Sequence, residues 1–166
     1  MASSKLKANP SFLHCQIRGK PSPATPEEVV RQSVVYEMIH RLSFPKSLIV
    51  LEKDLSNLVS GATPAALKRR FDVVAFFKDP LAGSLKPLLI VECKATHLDE
   101  KALAQLLGYN HFLKAPYFAA ISKARSALFL RNGNQWAPIS SGLLPYPVMI
   151  EHLSKIHPDR SLRQSL

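Results

Sequence analysis

The 166 residues, 18.4 kDa, suffice for one compact domain with tails, burying roughly 68–70% of the surface its unfolded chain exposes without covalent staples. Hydrophobic residues at 46%, charged residues at 20% and two cysteines, with no apolar run near the ~18 residues that span a bilayer, exclude disulfide-rich, cysteine-zinc, secreted and membrane-spanning classes and predict a cytoplasmic protein. Twenty-two Lys+Arg against 12 Asp+Glu give +10 and a pI near 9.9, a field that favours a polyanionic partner, nucleic acid or an anionic surface, over mere solubility.

Residues 1–24 read as a flexible basic arm, rich in Ser, Pro, Lys and Gly, in which Lys5, Lys7, Arg18 and Lys20 face no acid. Order is predicted to begin at Thr25-Pro26-Glu27-Glu28. Thr25 suits a helix cap, Pro26 the first helical position, and Glu28 completes a capping box. Val30, Val34, Met38 and Leu42 recur every four residues and define the buried stripe of that helix. Phe44-Pro45 ends it. Three apolar runs follow, 48–51, 71–77 and 88–94, and their near-continuous hydrophobicity predicts strands covered on both faces. Residues 78–84 form a hairpin loop between the second and third. A second helix is predicted from Asp99 to Leu113. A strand follows over 117–121, then strand, turn and strand through Asn132-Gly133 to Trp136. Residues 25–150 therefore read as one domain and 151–166 as a basic tail, with a short helix near 148–156. The order α-β-β-β-α-β predicts an α/β fold, a central mixed sheet flanked by helices.

Asp72 and Glu92 are symmetric about residue 82. An antiparallel hairpin in that register sets them opposite each other, with Cβ atoms ~4.5–5.5 Å apart. Two carboxylates facing each other in an apolar sheet repel, and a hard divalent cation is the natural compensation. Glu92 and Lys94 share a face of their strand, while Val91 and Cys93 point away. Lysine beside a carboxylate pair suits phosphodiester hydrolysis, since it holds water or offsets charge developing on a phosphate. Gln105 and Tyr109, four apart, share one face of the second helix. Lys68-Arg69-Arg70 abuts Asp72; such a run is commonly a solvated face, but there it is placed to grip a phosphate. Glu27 and Glu28 serve equally well as helix-capping acids or as metal or water contacts. Six histidines show no metal-ligand spacing.

The ordered set Glu28, Phe71-Asp72, Val91-Glu92-Cys93-Lys94-Ala95 and Gln105-Leu106-Leu107-Gly108-Tyr109-Asn110 resembles the PD-(D/E)XK nuclease superfamily. With Pro26 to Gln32, it is similar more narrowly to the N-terminal nuclease domain of the type I restriction enzyme R subunit. The resemblance covers residues 26–130 and implies a restriction-endonuclease-like core. It implies Mg²⁺, or Mn²⁺ as a substitute, on Asp72, Glu92 and the Cys93 carbonyl, with Lys94 placing the attacking water. Glu28 matches the acid of the first helix. Gln105 and Tyr109 match a helix motif that orients Lys94 or DNA. The expectation is a deoxyribonuclease, an endonuclease, that contacts the DNA backbone. The R subunit's helicase motor has no counterpart in 166 residues, so a stand-alone enzyme or one working with separate restriction or helicase subunits is expected. The alternative is a non-catalytic nucleic-acid-binding or assembly module that kept the fold.

Overall fold

The computed structural model describes residues 11–54, 70–80, 82–96, 100, 103, 110 and 113–156. A two-stranded hairpin, β1 (Phe12–Cys15) and β2 (Lys20–Pro23), precedes helix α1 (Pro26–His40). A single 3₁₀ turn, Lys46–Leu48, leads into β3 (Ile49–Asp54), β4 (Arg70–Lys78) and β5 (Leu85–Lys94). Then come β6 (Tyr117–Ser122), β7 (Ser126–Asn132), β8 (Gln135–Ser140) and helix α2 (Tyr146–Ile156). Strands β3 to β8 form one sheet in chain order. Among the described residues only β5 and β6 pair in parallel; every other neighbour is antiparallel. This is the expected mixed α/β architecture, consistent with a restriction-endonuclease-like core. Glu100, Leu103, Asn110 and Leu113, the described positions of the expected second helix, are helical. Among the described residues no helix is long and apolar enough to cross a membrane.

The sheet is covered on both faces, as its apolar runs require. Val73, Ala75, Val91, Cys93, Tyr117 and Ala119 pack with Val30, Val34, Val35 and Met38 of α1 and Met149 and Leu153 of α2. Alternate residues Val74, Ile90, Phe118 and Ala120 join Leu103 and Leu113 in a second cluster. Fully burying each Val, Leu, Ile, Phe or Met among them stabilises the fold by about 1.5–3 kcal/mol.

Two local expectations are corrected. Residues 12–23 are not part of a structureless arm. They form the β1–β2 hairpin, and Cys15 is fully buried in the α1 cluster. Pro21 and Pro23 are tolerated because β2 pairs with β1 alone. The short helix expected near 148–156 forms as α2, Tyr146–Ile156. The capping box is half made. Thr25 Oγ1 accepts from the Glu28 amide at 3.2 Å, but the Glu28 carboxylate turns instead to Arg31 and Gln32. The Asn132-Gly133 signal does produce a tight turn, with Asn132 opposite Gln135 and Gly133 at φ 59°.

Candidate functional site

The site lies where β3 ends, β4 begins and β5 ends. The β4–β5 register runs Val73↔Val91, Val74↔Ile90 and Ala75↔Leu89, symmetric about residue 82. It shifts between Ala75 and Phe76, so Phe76 faces Pro87. The symmetry therefore holds only on the site side of this irregularity, which coincides with a proline that cannot donate to the ladder. Continued one residue past Val73↔Val91, the register sets Asp72 beside Glu92. On the other flank, Leu51↔Val73 and Lys53↔Phe71 bracket Glu52 opposite Asp72. Three acids thus stand in a row across three adjacent strands.

Such a row of like charges is destabilising unless neutralised. The chain supplies the neutralisation itself, where the sequence suggested a metal alone. Arg31, 7% exposed, points from α1 into the row. Its Nη2 donates to Asp72 Oδ1 at 2.8 Å and its Nη1 to Glu52 Oε1 at 2.9 Å. Nη1 also donates to Glu28, and Arg18 pairs with the other oxygen of Glu52. Asp72 Oδ2 accepts from the Cys93 amide at 2.7 Å. Lys94 Nζ lies 3.0 Å from Glu92 Oε1 and 3.8 Å from Glu27 Oε1. Among the described residues, five carboxylates and three cations leave two negative charges on the cluster.

Burial dominates the electrostatics. It pushes the Asp72 carboxyl above its ordinary value, although the Cys93 amide and Arg31 pull the other way. Glu92 is also raised, first by burial and then by the negative charge of Asp72, against the pull of Lys94. Burial disfavours the Lys94 ammonium, but its hydrogen bond and attraction to Glu92 outweigh this and raise its pKa. Lys94 is therefore a cation at neutral pH, able to donate hydrogen bonds but not to act as a base. Cys93 is buried and faces the core, its thiol pushed up chiefly by burial.

Asp72, Glu92 and Lys94 are thus brought together. Glu28 reaches Asp72 only through Arg31. Arg70 opens β4 opposite Asp54. Lys68, Arg69, Gln105 and Tyr109 lie outside the described residues. Sequence reasoning missed Arg31 and Glu52. Arg31 occupies the buried side of α1, one residue past Val30 in the stripe. Glu52 directly ends the apolar run Leu48 to Leu51, a signal that was available. Its φ of 48° is a left-handed backbone at a non-glycine residue, a strain that structures tend to hold at functional positions.

Among the described residues no three His, Cys, Asp or Glu side chains converge as a metal cage. The donor set nevertheless suits Mg²⁺, which keeps several waters and is commonly held by one or two carboxylates plus substrate phosphates. Among the described residues Glu92 Oε2 is buried without a hydrogen-bond partner, a lone acceptor of the kind a hard cation takes. The family described as Type I restriction enzyme R protein N terminus (HSDR_N) matches residues 26–139. No curated protein and no solved structure matches the chain.

Proposed function

The chain belongs to the family of type I restriction enzyme R protein N termini, and from that membership and its acidic row we propose that it is a Mg²⁺-dependent nuclease hydrolysing DNA phosphodiester bonds. The observation that carries the proposal is the pairing of half-buried Asp72 with buried Glu92, with Lys94 at the same strand end. Asp72, Glu92 and the Cys93 carbonyl would hold the metal, with Mn²⁺ as a substitute. When bound, such an ion supplies Lewis-acid polarisation of the phosphate and a more acidic water.

The chain's own groups then have separate tasks. Arg31 and the Cys93 amide fix the two oxygens of Asp72, so the carboxylate keeps one orientation. Lys94, held as an ammonium by Glu92, donates to the attacking water or to a phosphate oxygen and offsets the charge that develops there. Glu28 acts through Arg31. Lys68, Arg69, Arg70 and Tyr109 are proposed DNA contacts, and Gln105 a partner of Lys94. DNA is the proposed partner, with separate restriction or helicase subunits as further ones and the cytoplasm as the proposed location.

A second reading is favoured by a specific observation. Arg31 and the Cys93 amide already satisfy both oxygens of Asp72, as in a nucleic-acid-binding module that kept the fold without the chemistry. One experiment separates the two. Wild type, Asp72→Ala and Lys94→Ala are incubated with supercoiled, linear and single-stranded DNA, with Mg²⁺, Mn²⁺ or EDTA. Divalent-dependent cleavage by wild type alone supports the nuclease. Binding without cleavage in all three supports the second reading, and cleavage persisting in both variants sinks the site assignment.

A further inference from the structure

Strands β5 and β6 run parallel, with Lys94 beside Ser122. Their carboxyl ends therefore finish together, and the β6–β7 turn leaves the sheet one strand over from Lys94, about 4.7–4.9 Å across the ladder. The crevice outside the carboxyl ends of parallel strands is where open α/β sheets bind ligands. This turn, Ser122-Lys123-Ala124-Arg125, is tightly held. The Ser122 amide donates to the Arg125 carbonyl at 2.8 Å. Ser122 Oγ accepts from the Ala124 and Arg125 amides at 3.3 and 3.0 Å and donates to the Arg125 carbonyl at 3.1 Å. Lys123 and Arg125 are exposed, and neither forms an ion pair among the described residues. Arg18, Arg31 and Lys94, by contrast, are all spent on carboxylates. A rigid, acid-free, doubly cationic turn beside a cluster that is net-negative among the described residues offers the unpaired positive charge that those residues lack.

We infer that the Lys123–Arg125 turn is a backbone-phosphate clamp for nucleic acid, holding phosphates that flank the one presented to Lys94. The inference rests on the nuclease-fold reading for its ligand class, but not on cleavage. Rigidity matters, because a fixed turn loses little conformational freedom on gripping the ligand. Phosphate contacts of this kind position a duplex or strand and carry no sequence information.

The test is binding of a short fluorescein-labelled DNA, duplex and single-stranded, in EDTA over a salt series. Lys123→Gln/Arg125→Gln is compared with wild type and with Lys46→Gln/Lys78→Gln. The control pair is exposed, unpaired among the described residues and at the opposite end of the sheet. It removes the same two charges. Loss of two phosphate contacts should reduce the slope of log K against log salt by about 1.8 for duplex and about 1.4 for single strands. The control should leave it nearly unchanged, and thermal unfolding should match wild type in both. Equal slopes in turn variant and control, or equal losses in the two, overturn the inference while leaving the nuclease reading intact. Binding lost selectively at the turn, with no cleavage under any condition, upholds the clamp and removes the catalytic reading. Wild type that binds anionic vesicles but no nucleic acid overturns both.

Discussion

Arg31→Met isolates what holds the acidic row together. The substitution keeps the aliphatic stem of a residue that is 7% exposed and removes the guanidinium. Glu28 and Asp72 then stand without their shared cation, their side chains 5% and 16% exposed. Glu52, at 35%, keeps Arg18 and some water. Removing one partner of a buried ion pair destabilises by about 3–5 kcal/mol, because a charge is left buried and unpaired. With an m-value of about 2–3 kcal/mol/M in urea, the upper part of the range for small proteins, the unfolding midpoint should fall by roughly 1–2.5 M. Arg31→Lys should lose less, since it keeps the charge but not the fork that reaches two carboxylates at once. The deficit should shrink in acid, where protonation of Asp72, its carboxyl already raised by burial, removes that uncompensated charge, and be largest near neutrality. Urea titrations followed by circular dichroism from pH 4 to 8 read this directly. A pH-independent deficit, or one below about 1 kcal/mol as for exposed pairs, would refute the buried network as its origin.

Two further outcomes follow from the raised carboxyls and the buried thiols. Glu92 is raised above its ordinary 4.5 in the folded state, first by burial and then by Asp72. Folding therefore takes up protons at this site, and the wild type loses stability as pH climbs from the ordinary value through the raised one. Glu92→Gln lacks that loss, so in EDTA its stability relative to wild type should grow with pH over that window; a flat difference from pH 4 to 8 contradicts the shift. Cys15 and Cys93 are both fully or almost fully buried, and the Cys93 thiol is pushed well up by burial. Neither should react with a thiol reagent until denaturant is added; a thiol modified rapidly in the native protein would contradict its placement.

The fold was legible wherever sequence pattern and burial agree. The runs 71–77 and 88–94 became β4 and β5 because strands covered on both faces need apolar residues at every position. The opposed carboxylates were legible from loop symmetry alone. The register irregularity between Ala75 and Phe76 was not, as it depends on how Pro87 is accommodated in the ladder. The β1–β2 hairpin was hidden by its composition. Strands of four residues with two prolines in β2 resemble a tail, and their one decisive feature is the tertiary burial of Cys15. Arg31 was illegible for a related reason. An arginine on a helix reads as solvated until the acids it reaches, 21 and 41 residues away, are known to converge.

That convergence bears on why the network exists. In a chain of net charge +10, acids disperse most easily among the abundant cations. Here Glu27, Glu28, Glu52, Asp72 and Glu92, five of only 12 acids, gather at one end of one sheet. Stability does not call for this. A buried ionic network is commonly no more stable than well-packed apolar residues of the same volume, and this one adds a left-handed backbone at Glu52 and an orphaned oxygen on Glu92. Among the described residues the three cations offset the arrangement without completing it, since five carboxylates face three cations. A cluster built only to be stable would close that balance internally. Left short by two charges among the described residues, beside an exposed basic turn with no acid of its own, the cluster is what the proposed divalent cation and a substrate phosphate would complete.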